Sequence, residues 1–275
     1  MIFHCGQYTL DLARPRVMGI VNVTPDSFSD GGLHASTAAA IEHGLRLVDE
    51  GAEILDIGGE STRPGSTVVP LEEELQRVIP VIEGLARRAG VPLSIDTYKP
   101  AVMRAAIAAG ADIINDIWAL QQPGALDAVA DSRAGVCLMH MQGTPQTMQA
   151  DPHYDDVVRE VRDFLLARIQ ACQQVGIGQE RIMLDPGFGF GKRSVHNIAL
   201  LRELPTLCNL GYPVLAGLSR KSVLGQLTGN DVDARLHASI AAAVIAAMKG
   251  ARILRVHDVK ATADALKIAA AIQDQ

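Results

Sequence analysis

A chain of 275 residues with a formal net charge of −6 has no overall basic face for nucleic acid or an anionic membrane, although a local cationic cluster can still oppose that sign. Hydrophobic residues make up 48% and charged residues 20%, enough for a large core; with aromatics at only 4%, that core is built of Ala, Val, Ile and Leu, as in α/β folds with buried parallel strands. Cys5, Cys137, Cys172 and Cys208 are scattered without a C-x-x-C pair, which argues against a zinc or disulfide framework and for a reducing, cytoplasmic location.

The N-terminus shows no basic segment leading into an apolar run, and the longest apolar run, Ile240 to Met248, is far short of a membrane span. Ile2 to Leu12 alternates weakly around Gly6-Gln7 and predicts a small hairpin that caps something. A repeating unit follows. Val17 to Val23 is a short apolar strand ending near Asn22. The loop Thr24 to Gly32 is rich in Gly, Ser and Asp, and Ser36 is expected to cap a helix that runs to Glu50 and stops at Gly51.

The same grammar returns seven times. Ile54 to Gly58 is a strand, Gly59 to Gly65 a loop, and Leu71 to Ala89 a helix. Pro92 to Ile95 is a strand ending at Asp96, with Pro100 in the first turn of the next helix. Ile113-Ile114 leads to Asn115-Asp116, and a short helix follows Gly124. Val136 to Met139 ends at His140, followed by an amphipathic helix from about Asp155 to Val175. Arg181 to Leu184 ends at Asp185, with a helix from Ser194. Pro213 to Leu218 ends at Ser219-Arg220-Lys221-Ser222, and a helix spans about Asp233 to Met248. Ile253-Leu254 leads to Arg255-Val256-His257-Asp258 and a last helix from Lys260 to Ala271.

The polar residues at the strand ends fall about 34 residues apart on average, close to the ~30 of a βαβ unit. Eight such units predict a single closed (β/α)8 barrel over residues 1–275 with a short N-terminal hairpin. An open doubly wound sheet is the competing reading; it would carry fewer strands and one phosphate-binding Gly loop.

The densest chemistry lies in Asp185-Pro186-Gly187-Phe188-Gly189-Phe190-Gly191-Lys192. A buried strand ends in a carboxylate, Pro ends the ladder, and three Gly at every second position let backbone approach a ligand between two flat rings. A Walker loop fails twice here, at Pro186 and Arg193, and a dinucleotide fingerprint fails at Lys192. The bland alternative is a plain βα turn.

A closed barrel gathers its strand ends at one mouth: Asn22, Asp56, Asp96, Asn115, His140, Asp185, Lys221, Arg255 and His257. Asp96, Asn115 and Asp185, expected on neighbouring strands, are acceptors suited to a heterocycle with an amidine-like N–H edge. Lys221 would complement its carbonyl or a ring nitrogen. Arg63, Arg220, Arg255 and His257, with Ser61 and Thr62, describe an oxyanion or phosphate site. Asn22 with Asp30 suits a hydrated Mg²⁺, which prefers oxygen ligands. His140 reads as a satisfied core histidine and Trp118 as packing. This polarity alone does not separate a pterin from a purine or a flavin.

Two loops go further. Asn22-Val23-Thr24-Pro25-Asp26-Ser27-Phe28-Ser29-Asp30-Gly31-Gly32 and Asp56-Ile57-Gly58-Gly59-Glu60-Ser61-Thr62-Arg63-Pro64-Gly65 resemble the two signature loops of the dihydropteroate synthases. The resemblance continues through Ser94 to Thr97, Ile114 to Asp116, Leu138 to Met141, Asp185 to Lys192, Ser219 to Ser222 and Arg255 to Asp258, and is strongest to bacterial single-function forms. It implies condensation of 6-hydroxymethyl-7,8-dihydropterin diphosphate with 4-aminobenzoate to 7,8-dihydropteroate and diphosphate. It also implies roles. Asp96, Asn115, Asp185 and Lys221 would hold the pterin. Asn22, Thr62, Arg63, Arg255 and His257 would hold the diphosphate, with Ser61 a further substrate-binding position and Mg²⁺ at Asn22 and Asp30. Pro64, Phe190, Lys221 and Ser222 would frame the aminobenzoate, and Gly189 is a further substrate-binding position. Asp30, Arg63, Asp96, Asp185 and Lys221 would carry the catalysis. The family further implies a homodimer and competition by sulfonamides. A corrinoid-dependent pterin methyltransferase and a non-catalytic pterin-binding barrel are the alternatives; both fit Arg63, Arg255 and His257 less well.

Overall fold

The computed structural model describes residues 1–23, 32–62 and 65–273. Chain order runs β1 (Ile2–Cys5), β2 (Tyr8–Asp11), β3 (Arg16–Asn22), α1 (Gly32–Asp49), β4 (Ile54–Gly58), α2 (Leu71–Ala86), β5 (Leu93–Asp96), α3 (Pro100–Ala109), β6 (Ile113–Asp116) and α4 (Ala125–Ala130). It continues with β7 (Gly135–Met139), α5 (Val157–Gln174), β8 (Ile182–Asp185), α6 (Ser194–Arg202), α7 (Leu204–Cys208), β9 (Leu215–Ala216), α8 (Ser222–Thr228), α9 (Leu236–Met248), β10 (Ile253–Val256) and α10 (Val259–Gln273).

β1 and β2 pair antiparallel around Gly6, whose φ of +54° suits the tight turn. The other eight strands form one parallel sheet in which each lies beside its chain neighbour, from β8 back through β3 and on to β10 and β9. The ring closes between the two ends through a Leu184–Val214 bridge, with the Leu184 N–H donating to the Pro213 carbonyl at 2.9 Å. This is the (β/α)8 barrel, and the doubly wound alternative is excluded.

The two-residue repeat of a strand explains what the barrel encloses. Met18, Ile54, Ile113, Cys137, Met183, Leu215 and Ile253 form an inner apolar cluster, joined by Phe3, Cys5 and Leu12 from the hairpin. The hairpin therefore plugs the lower end. Phe3 is fully buried, and a Cβ on Gly135 would stand 2.5 Å from its ring. The Asp112 carboxylate ties this plug to the barrel by accepting the Gln7 N–H of the hairpin turn at 3.5 Å and the Leu93 N–H of β5 at 3.0 Å. One repeat further along the same strands stand Asp56, Asn115, Asp185 and Arg255. A larger aliphatic core fills the space between strands and helices.

Three boundaries differ from expectation. α1 already runs from Gly32, so Ser36 lies inside it and not at its cap. α2 stops at Ala86, ahead of the left-handed Gly90 (φ +65°). The stretch after Lys221 is a separate short helix, α8, whose terminus is the left-handed Gly229. No described helix is long and apolar enough to cross a membrane.

Candidate active site

The organising side chain at the mouth is Arg255. Its Nε donates to Asp56 Oδ2 at 2.6 Å and its Nη2 to Asp96 Oδ2 at 2.8 Å. Asn115 Nδ2 donates to the same Asp56 oxygen at 3.1 Å. Strand register makes this possible: Gly58 pairs with Asp96, and Asp96 with Asn115. Burial pulls the Arg255 guanidinium down, but Asp56 and Asp96 outweigh it and hold it firmly charged. Asp96 is pushed up to about 7 by burial, against the pull of Arg255 and with the push of Asp56. Asp56 Oδ1 and Asp96 Oδ1 are buried without a hydrogen-bond partner, so two acceptors remain unanswered beside one cation.

Asp185 ends β8. Its Oδ1 accepts the Gly187 N–H at 2.7 Å, and burial raises its pKa against Lys221 and that N–H. Lys221 caps the start of α8, donates to the Phe188 carbonyl and stands 4.7 Å from the Phe190 ring centroid. Burial lowers it to about 8, with Asp185 opposing. Gly189 lies between, and a Cβ there would meet the Lys221 chain at 3.2 Å. Ser222 is exposed at the first residue of α8.

On the opposite rim, Asn22 ends β3 with an exposed side chain. His257 Nδ1 lies 3.1 Å from Ser219 Oγ, which also accepts the His257 N–H at 3.2 Å. Ser61 and Thr62 are half-buried on the loop after β4. That loop is moored by Glu60, whose carboxylate accepts the Val69 N–H at 3.1 Å, Tyr98 Oη at 3.0 Å and Lys99 Nζ at 2.5 Å; Lys99 also reaches Glu74. Asp30, Arg63 and Pro64 lie outside the described residues.

Four expectations are corrected. Arg255 does not sit with the rim cations; it lies among the acids, because its inward position on β10 faces Asp56 and Asp96. Arg220 is not offered to an anion: its Nε and Nη2 bind Asp258 at 3.1 and 2.6 Å, which fixes the backbone at a left-handed φ of +57°. Asp96 and Asn115 do come from adjacent strands, but β7 separates Asp185 from them. Asp56 is the hub of the acid group and was not counted as a binding residue; its place at a strand end was the available signal.

His140 and Trp118 pack as expected. His140 is buried edge-on against Phe164 at 4.9 Å, and burial with Lys192 lowers it to about 3. Trp118 stacks on Tyr98 at 5.7 Å. Lys192 is named in the sequence only as the end of the Gly/Phe loop and is given no role. It is 3% exposed, and its Nζ lies 2.9 Å from His140 Nδ1, 3.2 Å from the His140 carbonyl, and 3.0 Å from those of Gly187 and Phe190.

Comparison with known proteins gives this geometry a family. The model for pterin binding enzymes matches residues 18–257. The dihydropteroate synthase of Escherichia coli K12 is 54% identical over 260 residues, covering 94% of this chain and 92% of that one. The crystal structure of Xanthomonas albilineans dihydropteroate synthase with 4-aminobenzoic acid superposes with a TM-score of 0.94 at 60% identity, covering 100% of this chain and 98% of that one. A Yersinia pestis dihydropteroate synthase in complex with a sulfonamide drug gives 0.95 at 51% identity over 100% of both chains. The chain belongs to the pterin binding enzyme family, among its dihydropteroate synthases. The methyltransferase and non-catalytic readings are set aside by these full-length synthase relatives.

Proposed function

We infer that this chain condenses 6-hydroxymethyl-7,8-dihydropterin diphosphate with 4-aminobenzoate, and that the mouth described above is where it does so. One observation supports the site most strongly: two buried carboxylate oxygens, Asp56 Oδ1 and Asp96 Oδ1, lack partners beside Arg255. A buried carboxylate oxygen left unpaired is costly, and a ring bearing N–H donors would satisfy it.

In this reading Asp96, Asp185 and the amide oxygen of Asn115 accept the pterin N–H groups, Asn115 Nδ2 being committed to Asp56. Lys221 meets the ring's acceptor edge. Arg255 uses Nε and Nη2 on the acids and presents Nη1 to the substrate. Ser61, Thr62, Arg63 and His257 bind the diphosphate. The C–O bond from the pterin methylene to diphosphate breaks, its electron pair leaving on the diphosphate oxygen. The aniline nitrogen forms the new C–N bond and releases a proton. Phe190, Gly189, Pro64 and the Lys221 stem flank the aniline ring, with its carboxylate at the Ser222 N–H.

Mg²⁺ fits the exposed amide oxygen of Asn22 with Asp30, since that ion keeps waters and is held by few protein oxygens plus substrate phosphate. When bound, it would neutralise charge developing on the leaving diphosphate. We further propose a cytoplasmic homodimer. Its contact face would be the apolar strip on α9 and α10 where Met248, Ile268 and Ile272 are exposed around Val244, Ala265 and Ala269.

The test is to mix both substrates with Mg²⁺ and measure diphosphate. Release that requires both substrates and is inhibited by a sulfonamide competitively with 4-aminobenzoate is expected. Pterin binding without turnover, or purely noncompetitive inhibition, would overturn the reading.

A further inference from the structure

The Gly/Phe loop after β8 is held from inside by a side chain the reaction itself does not use. Lys192 folds back beneath its own loop. Burial pulls the Lys192 pKa well down, but three carbonyl oxygens, those of His140, Gly187 and Phe190, surround Nζ and can only accept, which favours the ammonium with all three N–H bonds engaged, and His140 Nδ1 shares one. Among the described residues no carboxylate touches it. The carbonyls converge because Gly187, Gly189 and Gly191 are all left-handed, with φ of +67°, +81° and +60°. A side chain at Gly187 would stand 1.9 Å from the His140 carbonyl, so the loop lies hard against the segment after β7.

Every carbonyl of this loop from Gly187 to Gly191 has its own fastening. Lys192 takes Gly187, Lys221 takes Phe188, and Gln149 Nε2 takes Gly189 at 2.6 Å. Lys192 returns for Phe190, and Tyr154 Oη takes Gly191 at 2.8 Å. Of these, only Lys192 grips two carbonyls of the loop, those of Gly187 and Phe190, together with the segment after β7 at His140. The residues it places are those that wall the second substrate: the Phe190 ring, and the Phe188 carbonyl that fixes Lys221 over that ring. Asp185, in contrast, is fixed by its strand and by the Gly187 N–H. Asp96 and Asn115 are fixed by Arg255 and Asp56, away from this loop.

We propose that Lys192 is a positioning residue for the aryl amine: its ammonium sets the Phe190 wall and the Lys221 stem, and so governs affinity for 4-aminobenzoate and sulfonamides while leaving pterin affinity nearly untouched. A catalytic or binding group displaced by a fraction of an ångström loses much of its effect, which is how a buried residue without substrate contact acts on one substrate. The proposal rests on the reading of the mouth given above.

The experiment compares Lys192→Met and Lys192→Gln with the unaltered enzyme. Lys192→Met keeps the apolar stem and removes every donor; Lys192→Gln keeps two N–H donors. Expected for Lys192→Met is a rise of about tenfold in KM for 4-aminobenzoate, equivalent to ~1.4 kcal/mol, with a parallel rise in the sulfonamide Ki. Pterin Kd by calorimetry stays within twofold, and Lys192→Gln falls between. A folded Lys192→Met enzyme with unchanged KM and Ki overturns the proposal. So does a pterin Kd raised as much as KM, or failure of both variants to fold, which would place the role of Lys192 in stability alone. If the unaltered enzyme itself releases no diphosphate, the reading of the reaction has failed and not this inference.

Discussion

At the lower end of the barrel, Met18, Ile54, Ile113, Met183 and Ile253 meet Phe3 and Leu12 of the hairpin in one apolar cluster. Two residues further along the same strands, Asp56, Asn115, Asp185 and Arg255 face inward instead. Folding alone completes the lower end. The mouth retains buried carboxylate oxygens without partners, a cost that folding does not recover and that a ligand would. Stability is thus concentrated at one end of the molecule and recognition at the other, with the same two-residue repeat setting both.

Arg255→Met would break this division most severely, because it is the one mouth residue whose charge the fold also needs. Its loss strands Asp56 and Asp96 together without a cation. Removing one partner of a buried ion pair costs about 3–5 kcal/mol. We expect a loss of that size in denaturant midpoint experiments, and no detectable synthase activity. An enzyme as stable as the unaltered one would mean that the two acids shed charge freely and that Arg255 serves substrate only.

Phe3→Ala tests the other end. Phe3 is fully buried against Gly135, and such truncations cost about 3–5 kcal/mol. The expected outcome is a lower melting temperature with both KM values unchanged. A KM shift would show that the plug communicates with the mouth. Asp185→Asn sharpens the contrast from the opposite side. It should weaken pterin binding by roughly 1.5–3 kcal/mol, the usual range for a hydrogen bond to a charged group. Thermal stability should stay nearly constant. Unchanged calorimetric affinity would remove Asp185 from the site.

The barrel was readable because its evidence is periodic. Eight apolar runs end in polar residues at nearly constant spacing, and Gly6 marks a hairpin whatever it packs on. The acid floor was readable for the same reason, since inward positions at strand ends are set by the repeat. What escaped depends on partners without a sequence signature. Lys192 binds carbonyls, which every residue carries. Arg220 is claimed by Asp258, 38 residues away, and Arg255 by acids 159 and 199 residues away. The charge of these side chains was visible, but its direction was not. α7 and α8 are too short for helical periodicity to register.

The mildest test uses protons in place of mutations, and here stability and pterin recognition should respond oppositely. Burial raises Asp96 from 3.8 to about 7, so the folded chain binds a proton there that the unfolded chain releases. That contribution to stability is complete below pH 3.8 and is lost as pH rises through 7. Pterin recognition needs the reverse, an ionised acceptor, and therefore improves across the same interval. On the alkaline side burial lowers Lys221 to about 8, so its ammonium is lost above that pH. Pterin affinity should be greatest between about pH 7 and 8 and fall towards roughly tenfold per pH unit beyond either edge. Asp96→Asn should flatten the acid limb alone, and Lys221→Met the alkaline limb alone. Calorimetric titration of a pterin from pH 5.5 to 9.5 would read both, and an acid limb that survives Asp96→Asn would assign it to another carboxylate at the mouth.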